Sequence, residues 1–443
     1  MFQVKSPSFL DVATERQKFT NGLVMWFLLF AGYMLFCANW LIMIKLEPGW
    51  KKDLNVGDKQ AILEAVNYSV PLARGLATIP VAWLMVKLSH KYAVILAMLL
   101  NTAAFPLVFS PNFTLFVIGR MVMACGGTML IILIQPILSR FFSLGAKGIL
   151  SIFTPWAYVL GALFVNLLFL SSTVSNYLTT NWKMCTAITG LLTYLPALYY
   201  ALFGKNFEAD TVGNTSTSEK SDTYLGILKE KECWFWVFFY SFMLVVSVMV
   251  SGFAPKILMK LSNDKLKQAT QSISIEWDSL YRIIFYVFCL LGFSLGTWNK
   301  VKARRKPLVV LSCGLVTIFW IVILAASRGI ENATLATVII YTCVGLMSFF
   351  GMGIQTVILY IPHEYKGNDN PKRITIFYSY LWGFGYIIFA VYYFLVSCIF
   401  DAHAYYGYFA ASFVIMAFVL LFGLFSLLIE EPRPEWPLLP WSR

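Results

Sequence analysis

Long apolar runs, broken by charged or Pro/Asn/Gly-rich stretches, constrain this chain more than any other feature. About twelve of them approach the ~20 residues that a helix needs to cross a bilayer. The first six fall near 22–44, 61–86, 92–110, 113–138, 148–171 and 183–203, and the second six near 233–255, 280–299, 307–327, 333–360, 374–398 and 404–429. Runs of this length are too long for the strands of a membrane barrel, which take ~9–11 residues. Charged residues make up 13% of the chain, against about 25% in soluble domains. A soluble enzyme, a disordered chain and a disulfide scaffold are all excluded. The first run is too long for a signal-peptide core and lacks a small-residue cleavage site, so it reads as a transmembrane helix. The expected fold is all-α and polytopic, with twelve transmembrane helices in two six-helix halves.

The expected organisation has five parts. Residues 1–21 form a cytoplasmic N-terminal segment and 22–203 the first six-helix half. A polar, flexible cytoplasmic linker follows at 204–232. The second half covers 233–429 and a Pro-rich cytoplasmic tail 430–443. Lys and Arg set the orientation, because basic residues accumulate on the cytoplasmic side. With both termini inside, inner segments hold roughly twice as many as outer ones. The net charge of +12 is thereby explained, and no nucleic-acid partner is expected. All eight cysteines fall within apolar runs and read as small buried hydrophobes. The 256–279 stretch is the longest outer loop and could form a short surface helix.

The two halves carry traces of a repeat. Gly127 precedes Pro136 by nine residues, as Gly353 precedes Pro362, and a base lies four residues beyond each proline, at Arg140 and Lys366. Ser-Ile-Phe at 151–153 lies over Thr-Ile-Phe at 375–377, which places Gly161 over Gly385. Together these matches favour two halves related by an axis along the membrane normal.

Twelve spans split six and six by a parallel repeat resemble the major facilitator superfamily of transporters. In that family the loop after the second span reads roughly Gly-x-Leu-x-Asp-Arg-x-Gly-Arg-Lys. Here it runs from Ala82 to Lys91; Leu84, Lys87 and Lys91 match, while Val86 replaces the acid and Ala82 and Ser89 replace the glycines. The second-half copy, Gly296 to Lys306, keeps a glycine and a basic run. Arg120, Ala124 and Gly126 represent the fourth-span motif, and Arg140 to Gly148 resembles the loop before span five. The resemblance implies alternating access around a midplane site. It assigns Arg120 to coupling or packing and places Lys87 and Lys91 with the gating and coupling residues; Glu64 joins them as the deepest acid in the chain, one that could titrate.

Ionisable groups at the bilayer centre cost about 2.5–3.5 kcal/mol on insertion scales and so point to function. Arg74 lies at the middle of span two, flanked by Pro71, Gly75 and Pro80. Its planar fork suits a carboxylate, phosphate or nitrate. The alternative is a structural pair with a helix carbonyl or Glu64. Arg282, near the outer end of span eight, reads first as an interfacial anchor. Every Asp and Glu falls in a loop or at a span end, with Glu64 the deepest, and the three histidines read as loop or interface residues. No span centre then holds a titrating group, which argues against proton coupling unless Glu64 is buried beside Arg74. Asn39, Gln135 and Gln355 would orient a substrate by hydrogen bonds or serve as interhelical ties. Tyr378 and Trp382, four residues apart, share a helix face; they wall a binding site, or belong to an interfacial belt or to ordinary packing.

No nucleotide loop, metalloprotease signature or nucleophile elbow occurs, so no enzyme, cofactor or metal is expected. The expected function is secondary active or facilitative transport of a small anionic metabolite, by antiport or uniport across the plasma membrane. The expected protein is a monomer in the lipid bilayer. The alternatives are a uniporter for a neutral polar solute, such as a sugar, nucleoside or amino acid, and a non-transporting sensor or scaffold of the same fold.

Overall fold

The computed structural model describes residue 9 and residues 13–207, 224–262, 265–271, 274–293, 303–358, 361–364, 371–402 and 404–438. Among them the secondary structure is helical apart from one isolated bridge, Ser171 to Ile275. Among the described residues nine helices are long and apolar enough to cross a membrane. The predicted second and third spans share one helix, Ala65–Asn101, and the eighth is Trp277–Phe293. The count of twelve therefore comes from the sequence.

The chain divides into two compact units. The first comprises Met1–Asn55, Ser69–Gly161 and Asn181–Thr217; the second comprises Val56–Tyr68, Ala162–Thr180 and Ser218–Arg443. The start of the second span and the end of the fifth thus group with the later part of the chain.

In the first unit, helix α1 (Glu15–Lys45) begins in a capping box, in which Thr14 and Gln17 each satisfy the other's backbone N–H. Short α2 (Glu47–Asp53) follows; α3 (Gln60–Leu63) and the first residues of α4 (Ala65–Asn101) fall in the second unit, and the rest of α4 in the first. Helix α5 (Phe113–Phe141) packs along α1. The predicted fifth span is two helices, α6 (Leu144–Phe153) and α7 (Trp156–Leu168); α7 from Ala162 onward and α8 (Ser172–Thr180) fall in the second unit. The sixth span is likewise broken, into α9 (Trp182–Leu192) and α10 (Tyr194–Phe203).

In the second unit, the short helix α11 (Tyr224–Leu228) occupies part of the predicted linker, and residues 208–223 lie outside the described residues. The seventh span runs longer than predicted. It is α12 (Lys231–Leu244), a π-helical turn at Val245–Met249, and α13 (Val250–Leu261). Lys256 therefore sits on a helix and not in a loop. A short helix, α14 (Lys265–Gln271), follows. Helices α15 (Trp277–Phe293) and α16 (Arg305–Gly329) both pack on α17 (Ala333–Ile358), while α12 packs on α18 (Pro371–Ala402) and α19 (Ala404–Leu428).

The repeat reappears in the packing inside each unit. A Cβ added to Gly161 on α7 would stand 2.5 Å from the Met34 carbonyl oxygen on α1. One added to Gly385 on α18 would stand 2.6 Å from the Tyr240 ring on α12. Each glycine lies where span five meets span one, or span eleven meets span seven, so both positions need a residue without a side chain. Asn112 and Asn332 cap the repeat-paired helices α5 and α17, accepting from the N–H of Leu115 and Leu335 at 2.9 and 3.1 Å. Pro136 lies inside α5, whereas Pro362 falls in a 3-10 turn, Ile361–Glu364, beyond the end of α17. Lys366 lies outside the described residues.

Helix α4 is interrupted at Ser89, whose φ of 60° and ψ of 161° form a conformation nearly reserved for glycine. This is the position at which the resembling motif has glycine, so its conformational need survives here without it. The next residue overturns an expectation. His90, read as a loop or interface residue, is fully buried between the second and third predicted spans. Its Nε2–H donates to the Leu133 carbonyl at 2.9 Å, and its ring lies 4.4 Å from that of Phe207. Burial holds the imidazole down to about 4, against the Leu133 contact that favours the proton.

Unfolding returns His90 to a pKa of about 6.5. Below that pH the unfolded chain binds a proton that the folded chain excludes. Stability should therefore fall as pH drops from about 6.5 to about 4, by up to roughly 3 kcal/mol. Thermal melts in detergent across this range, with His90→Gln beside the wild type, measure it. The variant should lack this part of the slope.

Candidate functional site

In the first unit the candidate site is built around Arg74 on α4, which is only 2% exposed. Its Nη2 donates to the Tyr33 hydroxyl at 2.9 Å. Its guanidinium carbon lies 5.8 Å from the ring centroids of Tyr33, Phe36 and Trp40. These rings are spaced three, four and seven residues apart on α1, so they share one face of that helix. The cage holds the cation through ring quadrupoles and leaves its formal charge in place. Thr78 bonds back to the Arg74 carbonyl at 2.9 Å, one turn further along α4. Trp40 extends the aromatic wall to Tyr158 on α7 at 6.2 Å.

Glu64 is buried, as a proton-linked role would require, and groups with the second unit. Its carboxylate accepts from Lys256 Nζ at 2.7 Å, Asn67 Nδ2 at 2.6 Å and the Tyr393 hydroxyl at 3.0 Å, all within the second unit. Close by, the Asp401 carboxylate on α18 accepts from the N–H groups of Gln60 and Ala61 and caps α3. Glu64 thus belongs to a network joining α3–α4, α13 and α18.

Arg120 is fully buried on α5 and donates to the Asn39 and Trp40 carbonyls of α1 at 3.4 and 3.1 Å. Asn39 donates to the Leu35 and Thr189 carbonyls, which ties α1 to α9. Both act as interhelical ties in this arrangement. Lys91 is partly exposed; Lys87 lies on α4, with its side chain outside the described residues. Gln135 is exposed on α5 and Gln355 half-buried on α17.

In the second unit Trp382 meets Tyr240 edge-on at 4.9 Å and stacks on Tyr386 at 5.5 Å. Tyr378, one turn before it on α18, is also half-buried. The predicted aromatic face is therefore a packed cluster against α12. Arg282 is a correction: only 4% exposed, it is no interfacial anchor. Its Nη2 donates to the Gly252 carbonyl at 3.3 Å, beside the one turn of α13 where Ser251 accepts from the Tyr286 hydroxyl. Length explains the error. The seventh span extends to Leu261, so the facing end of α15 is covered by helix and not by loop.

Three partners escaped sequence reasoning. Tyr33 had a signal, the 33/36/40 spacing on the first span. Lys256 and Tyr393 had none, since their link to Glu64 joins residues 192 and 329 positions apart. Among the described residues no group of His, Cys, Asp and Glu could hold a metal ion.

The family description Mycoplasma MFS transporter matches residues 116–401. An uncharacterized protein of Mesomycoplasma hyopneumoniae strain J is 27% identical over 463 residues, which cover 96% of this chain and 94% of that one. A major facilitator superfamily transporter of Mycoplasma pneumoniae is 27% identical over 304 residues, covering 66% of this chain and 54% of its own length. Among solved structures, the inward-open xylose transporter XylE from E. coli matches with a TM-score of 0.66 at 14% identity, covering 94% of this chain and 98% of its own. The nucleoside transporter NupG matches at 0.65 and 14%, covering 92% and 99%. At such identities the two structures speak for the fold alone.

Proposed function

The chain belongs to the Mycoplasma MFS transporter family, and on that premise we propose that it carries a small anionic metabolite across the plasma membrane by alternating access. Members of the family are membrane transporters and not enzymes. Both termini are assigned to the cytoplasm, on the bias of basic residues.

The burial of Arg74 in its aromatic cage supports the anion reading. A guanidinium stays charged at any physiological pH. Holding it at mid-span is costly, and phenol and ring faces stabilise it without cancelling its charge. A carboxylate or phosphate group complements that charge with paired hydrogen bonds. Exchange of one anion for another, or uniport, fits a binding group that does not titrate.

Thermal shift of the detergent-purified protein against panels of anionic and neutral metabolites tests this. A ligand that binds only the folded state raises its apparent stability. An anion is expected to raise the melting temperature of the wild type and of Tyr33→Phe, and to lose that effect in Arg74→Ala. A neutral solute whose shift survives Arg74→Ala would overturn the proposal. It would favour the second reading, uniport of a neutral polar solute, for which the Tyr240–Trp382–Tyr386 cluster offers ring faces. No shift from either panel would count against ligand binding and favour the sensor or scaffold.

A further inference from the structure

At the basic end of α16 the second unit has a groove of about 570 Å³. Arg304 and Lys306 line it, with Val310 and Leu311 one turn deeper, Leu427 at the end of α19, and the Glu431 carboxylate. Arg305, between the two cations, points the other way. It is 1% exposed and gives both Nε and Nη2 to Glu364 at 3.0 and 2.9 Å. The tail shapes the groove: Arg304 donates its backbone N–H to the Pro437 carbonyl and its Nε–H to that of Trp436.

Glu431 does not make the site acidic. Its two oxygens accept the first N–H groups of α16, from Arg305 at 3.0 Å and Lys306 at 2.9 Å. There its charge is offset by the positive end of the helix. Lys306 Nζ donates to the Leu427 carbonyl at 2.7 Å and keeps two further protons. The mouth of the groove is therefore cationic. Below it the walls are apolar and open: Val310, Leu311 and Ile318 are exposed along α16, and Leu420, Leu424 and Leu427 along α19. These two helices pack together, so the furrow between their exposed faces runs from the cations toward the middle of the span.

We propose that this groove binds one anionic phospholipid, with its phosphodiester against Arg304 and Lys306 and its acyl chains along the α16–α19 furrow. A cationic mouth over an apolar furrow matches an anionic headgroup joined to hydrocarbon. A free anion would leave the furrow unused, and an uncharged lipid would leave the cations unused. Basic side chains near a membrane surface attract anionic headgroups additively.

Native mass spectrometry of the full chain in detergent tests this, with dioleoyl phosphatidylglycerol, dioleoyl phosphatidylcholine and inorganic phosphate as probes. Wild type should retain phosphatidylglycerol at least tenfold more tightly than phosphatidylcholine. Arg304→Gln/Lys306→Gln should lose about thirtyfold in phosphatidylglycerol affinity and keep its phosphatidylcholine binding. Lys229→Gln/Lys231→Gln, which removes two basic residues outside the groove, should change neither. Leu427→Trp keeps both cations and fills the furrow from an exposed position, so it should also weaken phosphatidylglycerol at least tenfold without touching the fold. Equal retention of the two lipids overturns the proposal, as does an equal loss in the Lys229/Lys231 control. Unchanged binding in Leu427→Trp overturns it too. Displacement of phosphatidylglycerol by inorganic phosphate at matched concentration would assign the cations to a free anion instead.

Discussion

Replacing Glu364 by alanine is expected to cost about 3–5 kcal/mol, because it leaves a buried guanidinium without its carboxylate. Arg305 and Glu364 are both almost fully buried and meet in a two-point fork. Among the described residues Arg305 Nη1 has no hydrogen-bond partner, and the Trp436 ring lies 5.0 Å from the guanidinium carbon. Glu364→Gln, which keeps one acceptor oxygen, should cost less. Thermal or denaturant unfolding in detergent measures the difference. Melting of Glu364→Ala within a degree of wild type would sink the idea that this pair matters to stability.

The second large effect is expected at Lys256. Lys256→Ala strands the Glu64 carboxylate, which is 2% exposed, with Asn67 and Tyr393 as its remaining donors among the described residues. The loss should be about 3 kcal/mol, near the lower end for a broken buried pair, because Lys256 itself is a quarter exposed. Adding Glu64→Gln to Lys256→Ala removes the uncompensated charge and should recover part of the loss. A double-mutant cycle isolates the coupling. Strict additivity of the two substitutions would show that the ion pair contributes nothing of its own.

These two pairs show which parts of the site were legible. Arg74 stood out because a charge at mid-span is costly wherever the chain goes. Helical spacing puts Tyr33, Phe36 and Trp40 on one face of α1, but only the packing brings that face to Arg74. Arg305 looked like one base in a basic run, and Glu364 like a loop residue. Nothing in the sequence joins them across a separation of 59 positions. His90 misled for a related reason: a histidine between Lys87 and Lys91 looks exposed, until the Ser89 kink turns it against Leu133 and Phe207.

The sequence by itself determined the class of the protein. Apolar runs of bilayer length leave only helices as a solution, since backbone polar groups have no water to bond within the hydrocarbon. Local patterns also marked Gly161 and Gly385 as equivalent positions of the repeat. Pairing was decided by the tertiary structure alone. Which carboxylate meets Lys256 or Arg305, whether Arg282 is covered, and where the tail lies against α16 all depend on contacts between residues far apart in the chain. A buried charge must find its partner wherever the packed helices bring one within 3 Å, and no sequence spacing encodes that distance.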